Sequence, residues 1–335
     1  MATQSPYHVV VADFITDDLE HERNVFGKLA RVTATNAFSE QDLVGHVENC
    51  DAIMLFHNVA LTEQTIGRLE CCKLIARCGV GVDNVDLDAA RARGIPVSNV
   101  PDYGTEEVAD SAIGMALALT RGFSRMNSQL RDSEHDGVWA YEQAAPLFRL
   151  RGRTFGIVGF GRIGVATALR AKTLGMDVQF YDPLLPDGYD KMLGVRRVET
   201  IEELFATSLV VSLHCPSTPQ TKGLVSHELI EQMQPGSYLV NTARGNVLDT
   251  SAIPPAIASG KLAGAAIDVL ANEPPPVDDP LIAAWRDPSH PAHHRVIVNP
   301  HAAFYCEEGL IDMRVKAAKS CQRALLGEPL RNIVN

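Results

Sequence analysis

The sequence predicts an α/β protein of two doubly wound parallel sheets, and three observations carry that prediction. Short β-branched runs alternate with helical stretches in two separate series. The pattern changes character between the series, near Pro101 to Gly104. A glycine turn, "GIVGFGRIG" at 156–164, opens the second series in mid-chain rather than at the N-terminus.

In the first series the strands read as 8–14, 31–35, 52–56, 73–78 and 95–100. Between them "SEQDLVGHV" has Ser39 three residues before Asp42, a capping-type helix start, and "DLDAARARG" ends on Gly94 where a C-cap glycine belongs. The next segment, "TEEVADSAIGMALALTRG" (105–122), is a long helix with acidic residues in its first turn and Gly122 at its end. The polar stretch from Arg131 to Gly152 reads as a surface arm or a plain loop. The second series places strands at 154–159, 177–182, 209–214, 237–243, 262–269 and 295–300. Pro-rich connections, "NEPPPVDDP" and "DPSHPAHH", interrupt it.

Composition narrows the function. At 335 residues and 46% hydrophobic the chain is long enough for two packed domains. A net charge of −11 argues against a polyanion as partner, because neutralising phosphates needs clustered Lys and Arg. Seven cysteines, Cys50, Cys71, Cys72, Cys78, Cys215, Cys306 and Cys321, form an odd set without a C-x-x-C pair, which fits a reducing, cytoplasmic setting. The N-terminus lacks a basic start followed by a long apolar run, so no secretion signal is expected, and no window is apolar enough to span a bilayer.

In the glycine turn, Gly159 allows the tight bend, Gly161 lets the backbone approach a pyrophosphate, and Gly164 lets the helix pack on its strand. The N–H groups near Arg162 and Ile163 then face the phosphates. Asp182 ends the next strand, 21 residues after Gly161, where its carboxylate can bind ribose hydroxyls and repel a 2′-phosphate. NAD(H) is therefore expected over NADP(H).

Three polar residues follow strands on the same rim: Arg244 after "SYLVNTA", Glu273 after "AAIDV" and His301 after "VIVNP", at intervals of 29 and 28 residues. Ligands of open α/β sheets bind beyond the carboxyl ends of the strands, so the three can converge. Reduction of a 2-oxo acid needs a cation for the carboxylate and carbonyl, which suits Arg244, and a proton donor, which suits His301. Glu273 bonded to the imidazole would favour its protonated form and orient the ring. Asp268 sits in an apolar segment, where its carboxylate needs a partner, either a cofactor group or a local turn. The histidines of "SHPAHH" (290–294) resemble a metal tract but have no paired carboxylate or thiolate beside them, so no metal site is expected.

In combination, "GFGRIG", "NTARG", "DVLANEP" and "NPHAA" resemble the D-isomer-specific 2-hydroxyacid dehydrogenases, from about residue 8 onward. "RCGVGVDNVD", "FYDP", "LHCP" and "HAAFYCEE" are most similar to the branch of the C-terminal binding proteins, nuclear corepressors that keep the dehydrogenase fold. The resemblance implies a flavodoxin-like substrate domain, residues 1–101 with 300–335, and an inserted Rossmann NAD domain, residues 102–299, with a cleft between them. It implies substrate contacts from Arg77, Val80, Gly81, Arg244, His301 and Phe304, and cofactor contacts from Val80, His214, Cys215, Pro216, Thr242 and Asp268. It also implies a homodimer through the NAD domains. Phe304 stands where the corepressors have Trp, and the chain stops 34 residues after His301, without their long tail. Pro254 and Pro255 interrupt a usually continuous helix, so that helix is expected to start near Ile253 to Pro255. Glu273, rather than the Gln of formate dehydrogenases, favours a His-acid oxo-acid reductase. The alternative reading is an NADH-responsive interaction protein with little turnover; the complete Arg, Glu and His set favours the enzyme.

Overall fold

The computed structural model describes residues 6–132, 139–144 and 146–335. It divides into two compact units, one running up to Gly104 and resuming over Tyr305–Asn335, the other spanning Thr105–Phe304. The first carries a parallel sheet of β1 (Tyr7–Val11), β2 (Ala30–Ala34), β3 (Ala52–Leu55), β4 (Ile75–Arg77) and β5 (Val97–Asn99) in the order β2-β1-β3-β4-β5. Val10, Ile53, Leu55, Ile75 and Val97 are fully buried in its core, as expected for β-branched and Leu runs covered on both faces. Parallel strands need crossovers, and short helices such as Glu20–Phe26 and Leu87–Ala92 supply them.

The return segment belongs to this first unit through specific bonds. Helix Glu307–Leu326 carries Arg314, whose guanidinium is paired with the buried Glu22 and with Asp17. After the helix, Asn335 accepts the Val97 N–H through Oδ1, and Ser98 bridges to Ile333. The units part after Gly104 and before Tyr305, rather than at the expected 101/102 and 299/300. Residues 301–303 stay with the second unit because their backbone N–H groups bond to Asp268: His301 to its carbonyl, Ala302 and Ala303 to its carboxylate.

That second unit holds β6 (Thr154–Val158), β7 (Asp177–Tyr181), β8 (Arg196–Arg197), β9 (Val210–Leu213), β10 (Ser237–Asn241), β11 (Leu262–Ile267) and β12 (Val296–Val298). Their order is β12-β11-β10-β9-β6-β7-β8, all parallel, so the winding reverses between β6 and β9. Alternate residues of one strand enter opposite cores: Val211 and Leu239 face one, Val210 and Val240 the other. Helices Thr105–Thr120 and Arg162–Thr173 cover one face together and are tied by Arg170 to Glu106 and Asp110.

Three local expectations change. "SEQDLVGHV" forms only a 3₁₀ turn, Glu40–Leu43; its Ser39–Asp42 capping box is present, but Val44 is already extended at ψ 127° and Gly45 follows at φ 85°, so the run stops there. The two-residue strand β8 was not anticipated, and neither was helix Phe123–Asp132, whose apolar residues Phe123, Met126 and Leu130 share one face. Within the 131–152 stretch, Tyr141–Ala144 is a 3₁₀ turn, while residues 133–138 and 145 lie outside the described residues, as does the start of the N-terminal segment read for a signal. The Pro-containing helix does begin late, at Ile253, with prolines in its first turn, where an N–H is not needed. No helix among the described residues is long and apolar enough to cross a membrane.

Candidate active site

The glycine turn sits at the carboxyl end of β6, at the point where the strand order reverses. Gly159 takes φ 87°, and a Cβ there would stand 2.5 Å from the backbone nitrogen of Cys215. The turn after β6 and the turn after β9 are therefore in backbone contact, which only glycine permits. A Cβ on Gly164 would lie 2.3 Å from the Gly159 carbonyl oxygen, so the helix packs directly onto the turn. Gly161, by contrast, has nothing within 4 Å of its Cβ direction, and it begins helix Arg162–Thr173 without a side-chain cap. The open space and the uncapped N–H groups of Arg162 and Ile163 are what a pyrophosphate requires.

Asp182 follows β7, and its carboxylate accepts N–H bonds from Phe160 at 2.8 Å and Leu184 at 3.0 Å. These bonds fix it beside the turn, with acceptor capacity remaining on both oxygens. Beyond β9, His214 Nε2 meets Ser212 Oγ at 2.9 Å, whereas its Nδ1 is buried without a hydrogen-bond partner. Burial pushes this imidazole down to about 3, so it is neutral. Cys215 is buried and its thiol is pushed up to about 11 by desolvation, which makes it an apolar wall rather than a thiolate. Pro216 is exposed beside it. Thr242, after β10, likewise buries a hydroxyl that bonds to nothing in the protein. Two orphaned polar atoms on the rim that carries the glycine turn fit a bound dinucleotide, since buried polar atoms normally have partners.

Further along the rim the polar residues converge. His301 Nδ1 lies 2.7 Å from Glu273 Oε2, while Glu273 Oε1 accepts the Leu270 N–H at 2.8 Å. Burial works to raise the Glu273 pKa, but the His301 hydrogen bond and charge, the Leu270 N–H and the Arg244 charge outweigh it and hold the carboxyl below the usual range. It is ionised at neutral pH, and Arg244 is near enough to contribute. Arg244 donates through Nη1 to the Ala243 carbonyl at 2.8 Å, and Asn241 Nδ2 holds the Arg244 carbonyl. Gly245 follows because a Cβ there would collide with the Leu270 backbone at 1.9 Å. His301 itself adopts φ 54°, an unusual conformation for a non-glycine residue, held by its N–H bond to the Asp268 carbonyl. Phe304 presents its ring edge-on to His301, with centroids 6.1 Å apart.

Asp268 finds its protein partners not in a local turn but 34 residues further along the chain, in the turn that follows β12. It is buried, and its oxygens accept the Ala302 N–H at 2.9 Å and the Ala303 N–H at 3.1 Å. Desolvation raises its pKa against these bonds.

In the first unit, Arg77 ends β4 and is buried, with Nη1 donating to the Cys78 carbonyl at 2.9 Å. Its guanidinium lies so close over Gly79 that a Cβ there would clash with it. Val80 and Gly81 follow in partly exposed backbone, and the Val80 carbonyl is held by Asn99 Nδ2 at 2.7 Å.

Two residues were missed in the sequence. Asp13, after β1, is fully buried and binds the N–H groups of Phe56, Asn58 and Val59; the signal was a carboxylate inside "VVVADF", the same kind that marks Asp268. Asp132 is the other, since it supplies the carboxylate that the "SHPAHH" stretch lacks locally.

Residues 113–303 match the family described as "D-isomer specific 2-hydroxyacid dehydrogenase, NAD binding domain". A D-3-phosphoglycerate dehydrogenase from Methanocaldococcus jannaschii is 32% identical over 327 residues, which is 97% of this chain and 60% of that protein. The chain thus spans well under two thirds of that curated relative. Among solved structures, a protein from Thermus thermophilus superposes with a TM-score of 0.83 at 31% identity, covering 98% of this chain and all of the other. A D-lactate dehydrogenase from Aquifex aeolicus, complexed with NAD and lactic acid, gives 0.81 at 27% identity over 96% of both chains. The sheet order, the glycine turn and the family match over more than half of the chain agree: this protein belongs to the D-isomer specific 2-hydroxyacid dehydrogenase family.

Proposed function

We propose that the protein is an NAD(H)-dependent oxidoreductase that interconverts a 2-oxo acid and the corresponding D-2-hydroxy acid. The observation that carries this reading is the Glu273–His301 pair, with Arg244 beside it, on the rim that bears the dinucleotide turn. A bound nicotinamide supplies the hydride. Arg244 holds the substrate carboxylate and polarises the carbonyl. His301, its Nδ1–H fixed on Glu273, presents Nε2–H to the substrate C2 oxygen and gives up that proton on reduction; in the reverse direction Nε2 takes it back. Ionised Glu273, bonded to Nδ1, prevents the ring from turning.

Gly159, Gly161, Gly164, Arg162 and Ile163 would hold the pyrophosphate, Asp182 the ribose hydroxyls, and His214, Cys215, Pro216, Thr242, Asp268 and Val80 the rest of the cofactor. Arg77, Val80, Gly81 and Phe304 are assigned to the substrate. The exposed apolar face of helix Phe123–Asp132, with Trp139 and Tyr141 lining the same hollow, is assigned to pairing with a second copy.

Purified protein assayed for NADH oxidation over a panel of 2-oxo acids tests the reading. Turnover with at least one, giving the D-hydroxy acid, is expected. Tight NADH binding without turnover on any of them would point instead to an NADH-responsive interaction protein like the C-terminal binding proteins.

A further inference from the structure

The loop before β12 carries His290, His293 and His294 in a Pro-rich sequence. Asp132, the last residue of helix Phe123–Asp132, places Oδ2 3.4 Å from His293 Nε2 and 3.8 Å from His294 Nδ1. One donor atom from each of the three residues lies within 4.8 Å of the others. Donors bound to one tetrahedral zinc at 2.0–2.1 Å stand about 3.3–3.5 Å apart. The two separations from Asp132 are close to that spacing, and the two imidazole donors, within 4.8 Å of each other, would reach it by side-chain rotation.

Proton placement supports the same reading. The Trp285 carbonyl can only accept, so His293 Nδ1, 2.7 Å away, carries a proton. Nε2 then faces the Asp132 carboxylate with either a second proton or a bare lone pair, and two lone pairs at this distance repel. A metal cation between them removes the repulsion and uses both. The Trp285 bond is also the kind of contact that fixes the tautomer and plane of a metal-bound imidazole. His294 Nδ1 meets Ser128 Oγ at 2.9 Å, and that hydroxyl also reaches Asp132 Oδ2 at 3.4 Å. A metal taking Nδ1 would leave the hydroxyl on the carboxylate.

We propose that Asp132, His293 and His294 form a binding site for a divalent d-block cation, with zinc(II) the fit by ligand type. Two imidazoles and one carboxylate leave a position for water, and the Asp132 side chain is 48% exposed, so the site is open to solvent. Its place in the fold argues for a structural role. The histidine loop leads into the amino end of β12, whereas His301 follows the carboxyl end, so the site is on the opposite rim from Glu273 and His301. A bound cation would staple the end of helix Phe123–Asp132 to the loop before the edge strand.

Calorimetric titration of the EDTA-treated full chain with zinc chloride tests this, with cobalt(II) absorption as a second probe of coordination. One saturable equivalent is expected, together with a rise in melting temperature on zinc addition. Asp132→Asn, His293→Gln and His294→Gln should each weaken binding by about tenfold or more and abolish the rise, with circular dichroism unchanged. His290→Gln should behave as wild type. Absence of saturable binding, affinity that survives Asp132→Asn and His293→Gln, or a His290→Gln loss as large as that of Asp132→Asn would each overturn the assignment.

Discussion

At the level of single residues, the proposed chemistry concentrates on three side chains with separable effects. His301→Ala removes the proton donor without touching the glycine turn, so reduction should fall by about 10²–10⁴-fold while NADH binding, followed by fluorescence titration, changes little. Glu273 acts on the ring. Its pKa is held below the usual range, chiefly by His301 against the pull of burial, so the carboxylate that accepts the His301 Nδ1–H is present above that depressed value and is lost as pH falls through it. Glu273→Gln should therefore lower kcat/KM for reduction while NADH binding is kept, because the ring loses the charged partner that orients it. Asp182 is the residue proposed to govern cofactor choice. The wild-type enzyme should prefer NADH in steady-state assays, and Asp182→Ala should narrow that preference by relieving the 2′-phosphate; a wild type that uses NADPH equally well would refute this role.

Elements show how far local sequence pattern reaches. The β-branched runs place eleven of the strands within a few residues because the central ones are buried on both faces, as Val210 and Val211 illustrate, and the edge strands keep buried residues of the same kind. β8 escapes because it is Arg196–Arg197, two charged residues without a periodic signal. Helix Phe123–Asp132 escapes because it buries nothing within the chain, so its apolar stripe has no core to report. Glu273 and His301 were legible since strand ends fix their position. The Asp268 turn and the Asp132 cluster were not, because each joins groups far apart in sequence and leaves no local pattern. Helix Glu307–Leu326 carries a third such pairing. Arg314 is buried against the fully buried Glu22, so Arg314→Ala leaves an unpaired carboxylate in the core and should destabilise the first unit by about 3–5 kcal/mol in chemical denaturation.

Across the whole molecule, the second unit exposes one face that a monomer has little reason to keep. Trp139 is 87% exposed and Phe123 60%, beside Leu130 and Tyr141. Sedimentation should show a dimer, and Trp139→Ser with Leu130→Ser should shift it towards monomer without unfolding either sheet. The interrupted first unit has a further consequence, one of biosynthetic timing. Most of it leaves the ribosome by Gly104, yet the helix and the Ser98–Ile333 bridge that complete it lie beyond Tyr305. The continuous second unit can fold as it emerges, while β1 to β5 must wait roughly 10–50 s at ordinary translation rates for their last partner. During that interval Glu22 lacks its arginine and the edge of β5 lacks its bridge, so the nascent first unit is the stage at which a chaperone would have most to protect.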